Sequence, residues 1–226
     1  MRLLKSIALF IAIVVALLAA PLLFISDDDV GRIETPVAGL PWQVEELPGG
    51  QTRVFGLTLG TSTLDDARQR FGADALVAMV IAKGETGSVE AYYESLKAGY
   101  VTGKMILTLE TSLPQREAML KRAIKAEFME STTRRITLAD ADLQELAKAR
   151  IAAITFIPSA NLTEEIVMQR FGVPAERVRA GEQAEHFLYP DKGIDLRLDA
   201  KGKELLQYVA PREFSRLRDP LFSAAQ

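Results

Sequence analysis

The sequence predicts an α+β protein, with an N-terminal transmembrane helix followed by two tandem helix-plus-antiparallel-sheet repeats and a helical insert between them. Three observations support this prediction. Residues 6–25 contain no charged side chain. The tetrapeptide Gln-Arg-Phe-Gly occurs at 69–72 and again at 169–172. Residues 194–198 alternate apolar and charged side chains, which is typical of a half-buried antiparallel strand.

The N-terminal segment, 1–25, is predicted to be a signal-anchor helix. Twenty uncharged residues at about 1.5 Å each span roughly 30 Å, the thickness of the hydrocarbon core of a bilayer. Arg2 and Lys5 precede the run and three aspartates follow at 27–29, so the positive-inside rule places the rest of the chain across the membrane. A cleaved secretory signal is the alternative, but the run is long and ends in bulky residues. We predict a single-pass protein of the bacterial inner membrane, with the bulk of the chain in the periplasm.

Composition excludes several classes of protein. The chain of 226 residues has a net charge of −3 with acidic and basic residues interleaved, which argues against nucleic-acid binding. It contains no cysteine, so disulfides, thiolate metal sites and a lipid-modified cysteine are all ruled out. About 200 residues follow the apolar run, enough for one large or two small domains.

Residues 26–51 are predicted to form a Pro/Gly-rich linker. They include three prolines and the pair Gly49-Gly50, and their apolar residues follow no helical period. The only tryptophan, Trp42, follows Pro41. It is either an anchor for a partner or a residue that docks on the domain's own surface, and the second role is the commoner one.

The two repeats are predicted at 52–112 and 151–226. Each copy has an apolar lead-in, then a threonine that can cap a helix, Thr63 or Thr163, followed by acidic residues that suit the positive end of the helix dipole. Each helix is expected to stop at the glycine that ends the tetrapeptide.

Strands are predicted after each glycine. In the first copy they are 75–83, 88–95 and 100–110, and in the second they are 183–189, 194–198 and 203–209. The insert, 113–150, is predicted to contain a helix from Pro114 to about residue 130, an extended segment at 133–137 and a second helix at 138–149.

Residues 57–63, the segment 70–72 and the segment 171–174 (Phe-Gly-Val-Pro) resemble the short helix-then-sheet motif of SmpA/OmlA (BamE-like) domains. The β-lactamase inhibitory protein fold is similar, with two such units in tandem. The chain has Phe in place of Leu before each glycine and lacks the lipid-carrying cysteine of that family. The resemblance implies an envelope protein that acts by binding, and it implies no reaction.

No catalytic, cofactor or metal site is predicted. His186 is the only histidine, and a lone histidine in a strand is usually a surface or edge residue. The acidic pairs 65–66 and 164–165 are explained by their position at helix starts. A carboxylate-dependent hydrolase stays open as an alternative, although no particular pair of acids is selected.

Aromatic side chains supply the candidate partner-binding residues, which are Trp42, Tyr92, Tyr93 and Tyr189. Exposed tyrosines favour interfaces, whereas packing in the core or at an edge is the commoner role. The predicted function is a membrane-anchored binding or scaffolding module in an assembly of cell-envelope proteins. A lipid or small-ligand carrier using the helix-to-sheet cleft is a further alternative.

Overall fold

A computed structural model describes residues 38–129 and 132–223 of the chain. Strands in these ranges form two antiparallel sheets, one of three strands and one of ten. The small sheet contains β1 (Glu45–Leu47), β2 (Gln51–Val54) and β3 (Leu57–Thr58). The large sheet contains β4 (Leu76–Ile81), β5 (Ser88–Ala98), β6 (Val101–Leu109), β7 (Lys125–Phe128), β8 (Arg134–Thr137), β9 (Ile151–Pro158), β10 (Glu176–Ala180), β11 (Ala184–Tyr189), β12 (Ile194–Asp199) and β13 (Leu205–Val209). Its strand order is β10-β11-β12-β13-β9-β6-β5-β4-β8-β7.

Short helices connect and cover these strands. They are α1 (Leu64–Phe71), α2 (Leu113–Lys121), α3 (Asp140–Leu146), α4 (Glu164–Phe171) and α5 (Ser215–Ser223), with 3₁₀ turns at Pro190–Lys192 and Pro211–Glu213. Within the described ranges, no helix combines the length and the apolar content needed to cross a bilayer. Residues 6–25 lie outside those ranges, so the N-terminal transmembrane helix stays a prediction.

The predicted fold class, two tandem helix-plus-sheet repeats with a helical insert, is wrong. The described residues form a mostly β structure, and β6 pairs directly with β9, so both halves of the chain belong to one sheet. This pairing places Met105 opposite Phe156 and Leu107 opposite Ile154. Alternation along a strand shows which residues face the core, but it does not show which distant strand will be the neighbour.

The insert also differs from the prediction. Helix α2 ends at Lys121 instead of continuing to about residue 130, and Lys125–Phe128 is strand β7, paired with β8. Ile124 and Phe128 suggested one apolar helix face because they are four residues apart. Residues four apart also share one face of a strand, so this spacing fits both structures.

Part of the predicted linker belongs to the folded domain. Strand β1 pairs with β2, and Leu40 is 5% exposed. The Tyr208 hydroxyl donates a hydrogen bond to the Pro41 carbonyl at 2.9 Å, across 167 positions of sequence. The chain is therefore packed against the large sheet well before residue 51.

Helices α1 and α4 begin and end at the predicted residues. The Thr63 hydroxyl accepts a hydrogen bond from the Asp66 N–H at 3.3 Å, and the Asp66 carboxylate accepts one from the Thr63 N–H at 2.7 Å, which completes a capping box. Thr163 accepts the equivalent bond from the Ile166 N–H at 3.3 Å. Gly72 and Gly172 end the helices with φ of 101° and 87°, a conformation that glycine adopts without strain.

The main core lies on one face of the large sheet, under α1, α4 and the small sheet. Phe156 on β9 is fully buried, and its ring centroid is 5.3 Å from that of Phe55, beside β3. Gly103 on β6 makes this packing possible, because a Cβ there would lie 2.5 Å from the Phe156 ring and 2.5 Å from the Ile157 carbonyl oxygen. The opposite face carries a smaller cluster of Leu188, Val209 and Phe214.

Replacing Gly103 by alanine should destabilise the domain, because the added methyl group forces either Phe156 or strand β9 to move. The expected loss is about 1–3 kcal/mol of unfolding free energy, as for other overpacked cores. Denaturant unfolding followed by Trp42 fluorescence measures it. Thr102→Ala, at the exposed neighbouring position, is the control, and equal stability of the two variants would contradict the packing argument.

Candidate binding site

An apolar recess opens beside α4, on the core face of the large sheet. Its volume is about 230 Å³, and we call it the Trp42 recess. The lining side chains come from the start of the described chain, the β5–β6 turn, the end of β9, α4 and β13. They are mostly apolar: Pro41, Trp42, Tyr100, Val101, Phe156, Pro158, Ala160, Asn161, Leu162, Ile166, Gln169, Arg170, Phe171 and Leu206.

Trp42 is held against the domain by contacts on several sides. Its ring centroid lies 6.4 Å from that of Phe171, nearly edge-on at 82°, and 6.0 Å from that of Tyr100. The Arg170 guanidinium stacks 4.9 Å from the Trp42 ring centroid, within the range of a cation–π interaction. Pro41 is fixed by Tyr208, so the tryptophan is positioned from both its backbone and its ring.

The turn that presents Trp42 is itself closed by hydrogen bonds. The Gln43 N–H donates to the Leu40 carbonyl at 3.0 Å, and the Leu40 N–H donates to the Gln43 side-chain oxygen at 2.9 Å. Because Leu40 and Pro41 are buried, this turn has little freedom to leave the surface. The recess is therefore largely preformed, as binding pockets usually are.

The floor of the recess is part of the core, and its rim is exposed. Phe156 and Leu206 are at most 1% exposed, whereas Tyr100 is 58% exposed. Asn161, Gln169 and Arg170 supply polar groups around the opening. An apolar floor inside a polar rim is the arrangement found at the centre of protein interfaces.

Of the four predicted partner-binding residues, the structure places only Trp42 in this recess. Tyr93 and Tyr189 are each 5% exposed, and their hydroxyls donate to the Gly72 carbonyl at 3.2 Å and to the Gly172 carbonyl at 2.9 Å. Both tyrosines therefore fasten the end of a helix to the sheet. Tyr189 also supports the recess indirectly, because its ring centroid lies 6.1 Å from that of Phe171.

Tyr92 lies on the opposite face of β5 from Tyr93. Its hydroxyl donates to the Glu94 carboxylate, and the Lys104 ammonium lies 5.9 Å from its ring centroid. Lys104 and Glu94 form an ion pair of 2.8 Å. Tyr92 thus belongs to a partly exposed polar network remote from Trp42, so the four candidates do not form one site.

Sequence reasoning did not select Phe171 and Arg170 as site residues, although both lie in the repeated tetrapeptide. In the first copy, Arg70 occupies the matching position and lies against Gly56, where a Cβ would come within 2.4 Å of the guanidinium carbon. In the second copy, Arg170 stacks on Trp42. The repetition of the arginine in the sequence could have pointed to a role for it. Only the fold, however, shows that both arginines contact the segment between residues 39 and 56.

A second, larger recess is acidic. It has a volume of about 640 Å³ and lies between the start of α4 and the β12–β13 turn. Glu204 on its wall is 4% exposed, and its Oε2 atom has no hydrogen-bond partner among the described residues. Glu164 and Glu185 on the wall pair with Arg177 at 2.7 Å and 2.8 Å, and Glu182 lies exposed on the turn between β10 and β11.

His186 is buried, which corrects the expectation of a surface or edge histidine. It is 7% exposed, and its Nδ1 lies 2.8 Å from Oδ1 of Asp195 on the neighbouring strand. Asp195 is 2% exposed. Asp195 is the hydrogen-bond partner of His186 among the described residues, so the pair joins β11 to β12 on the face that also carries Leu188. No group of three or more metal-binding side chains is found in the described part of the chain.

Comparisons with known proteins identify no relative, since no family model matches the chain and no curated protein or solved structure is significantly similar to it. The resemblance to SmpA/OmlA domains therefore stays a prediction.

The free energy of unfolding should fall at alkaline pH because of Tyr189. Burial raises its pKa to about 12, whereas a tyrosine in the unfolded chain titrates near pH 10. The stabilisation from neutral Tyr189 is therefore complete below about pH 10 and is lost as pH rises towards 12. Tyr189→Phe should lower the unfolding free energy by about 1 kcal/mol at neutral pH, through the lost hydrogen bond, and should make its fall above pH 10 shallower.

Denaturant titrations at several pH values measure both effects. Tyr100→Phe, which removes an exposed tyrosine, is the matched control. If Tyr189→Phe has the same slope as the wild type above pH 10, Tyr189 is not the group responsible.

Proposed function

We propose that this protein is a non-catalytic binding module that holds a cell-envelope protein partner through the Trp42 recess. The observation that carries the proposal is the recess itself, a preformed apolar cavity bordered by a 58% exposed tyrosine and by the only tryptophan of the chain. Tryptophan, tyrosine and arginine are the residues that most often dominate binding energy at protein interfaces. All three types meet here, in Trp42, Tyr100 and Arg170.

The size of the recess favours a protein partner over a lipid or small-ligand carrier. Pockets for drug-sized ligands have volumes of roughly 300–1,000 Å³, and the Trp42 recess, at about 230 Å³, falls below that range. The space suits one large apolar side chain, such as leucine, methionine or phenylalanine, inserted from a partner. The polar groups of the rim then contact the partner residues that lie next to the inserted side chain.

The membrane location is the second part of the proposal. Residues 6–25 act as an uncleaved tether in the bacterial inner membrane, and the folded domain works on the periplasmic side. The charge distribution around the run supports this orientation. A tethered module meets partners that are themselves part of the cell envelope.

The competing hydrolase hypothesis needs two free carboxylates that converge in one cavity. In the acidic recess, Glu204 has a free oxygen, but Glu164 and Glu185 are engaged by Arg177. Asp199 accepts hydrogen bonds from the Lys201 and Gly202 N–H groups at 3.0 Å and 2.9 Å. Glu182 also lines this recess, but it is exposed on the turn between β10 and β11, so Glu204 is the one buried carboxylate of the recess among the described residues. The arrangement therefore favours binding at the Trp42 recess over carboxylate chemistry.

Crosslinking in living cells tests the proposal. A photoreactive amino acid at Tyr100, on the rim, should capture a specific envelope protein from the source bacterium, whereas the same group at Leu76, which is 51% exposed on β4, should not. Mass spectrometry identifies the captured protein. Recovery of the same proteins from both positions, or of none, would count against the proposal.

Trp42→Ala provides the quantitative test once a partner is captured. Truncating a central aromatic anchor costs about 2 kcal/mol or more of binding free energy, which weakens affinity roughly 30-fold. Tyr92→Ala, remote from the recess, should leave the affinity unchanged. Thermal unfolding of each variant separates lost binding from lost folding, and a folded Trp42→Ala variant with full affinity would overturn the assignment of the recess.

A further inference from the structure

Strand β7 forms one edge of the large sheet, and no other strand in the described ranges pairs with its outer side. An open edge strand presents unpaired N–H and C=O groups that a further strand can complete. Natural proteins usually protect such edges with charge, proline or a covering segment. Strand β7 carries one charge of each sign, Lys125 and Glu127, and its apolar side chains are exposed, Phe128 by 76% and the preceding Ile124 by 66%.

The backbone N–H and C=O groups of β7 that point away from β8 belong to alternate residues. The Met129 N–H donates to the Thr133 carbonyl at 2.9 Å, so Met129 faces β8. Hydrogen-bonding directions alternate along an antiparallel strand, and Ala126 and Phe128 therefore point their N–H and C=O groups outward. The Ile124 N–H is already bonded to the Thr137 carbonyl at 2.9 Å, so this N–H is not available to a further strand.

The sequence of this edge is complementary to itself. Residues 124–128 read Ile-Lys-Ala-Glu-Phe, that is, apolar, basic, small, acidic, apolar. When two such strands run antiparallel with Ala126 at the centre, Lys125 of each copy lies opposite Glu127 of the other. Phe128 of each copy then lies beyond the charged pairs, towards Ile124 of the other copy, which precedes the strand.

The outward backbone groups and the side chains select the same register. A two-fold axis at Ala126 sets the two Ala126 residues directly opposite each other. Because the N–H and C=O of Ala126 point outward, each residue can donate one hydrogen bond to the other and accept one from it. Lys125 and Glu127 share one face of the strand, and Ala126 and Phe128 share the other. Opposite charges directly across a strand pair are stabilising, and so are paired apolar residues.

Neighbouring charges extend this complementarity. Within one copy, Glu127 lies 3.3 Å from Arg135 of β8 and 2.6 Å from Lys125. A second copy in the same register adds its own Lys125 on the outer side of Glu127. The acidic side chain is then flanked by positive charge from both chains.

The opposite edge of the sheet behaves differently. Strand β10 reads Glu-Arg-Val-Arg-Ala, and the same register centred on Val178 would set Arg177 of one copy against Arg179 of the other. Like charges directly opposite are destabilising. In this register, charge therefore disfavours self-pairing of β10 and favours self-pairing of β7.

We propose that two copies of this chain form a symmetric dimer through antiparallel pairing of their β7 strands about Ala126. The two large sheets then continue into each other across the dimer axis. The contact is isologous, as in most two-fold dimers, because each copy offers the same patch to the other.

Single-cysteine crosslinking tests the proposal, because the chain has no cysteine of its own. In a hydrogen-bonded antiparallel pair the Cα atoms lie about 5.5 Å apart, within the range of a disulfide. The full-length Ala126→Cys chain, oxidised mildly in membranes of the expressing cells, should shift on a non-reducing gel from 24.8 kDa to twice that mass. Ala180→Cys, exposed on β10, is the matched control and should not shift.

Charge exchange tests the register. In the Ala126→Cys chain, Glu127→Lys sets two lysines opposite each other and should reduce the crosslinked fraction, and adding Lys125→Glu should restore it. The Trp42 emission spectrum confirms that each variant is folded. Absence of the Ala126→Cys crosslink in folded protein, equal crosslinking at Ala180→Cys, or no recovery in the double exchange would overturn the proposed dimer.

Discussion

The pairing of β6 with β9 is the constraint on which the rest of the structure depends. It joins the two halves of the chain into one sheet and sets Phe156 over Gly103, where no side chain larger than hydrogen fits. Phe156 then packs on Phe55, which packs on Tyr208, and Tyr208 holds the Pro41 carbonyl. The position of Trp42 is therefore a consequence of a contact between two central strands.

The repeated tetrapeptide has one structural role in both copies and a second role that differs. In both, a tyrosine of the sheet donates to the carbonyl of the terminal glycine and anchors the helix end. The arginines diverge, since Arg70 lies against Gly56 while Arg170 stacks on Trp42. Because Trp42 packs on α4, the recess forms beside one of the two helices, and similar local elements thus give an asymmetric surface.

The two proposed contact surfaces are physically distinct. The Trp42 recess is concave, largely preformed and lined by aromatic rings, so it suits an inserted apolar side chain. The β7 edge offers backbone hydrogen bonds and matched charges, so it suits another strand. They use different residues, and a dimer through β7 would leave both recesses open. A dimeric module could then engage two copies of a partner, or two sites on one partner, with increased avidity.

Local features were predictable from the sequence because they depend on neighbouring residues. The caps at Thr63 and Thr163, the glycine stops and the alternating strand β12 were all visible before the structure. Strand partners were not, since periodicity shows which face of a strand is buried but does not show which strand lies beside it. The spacing of Ile124 and Phe128 does not identify β7 either, because residues four apart share a face in a helix and in a strand. By itself the sequence determined where the apolar run lies, where helices begin and which residues face the core. Only the tertiary structure decided that one sheet contains strands from both halves of the described chain, that Trp42 borders a recess and that β7 ends the order of the described strands, because each depends on contacts between residues far apart in sequence.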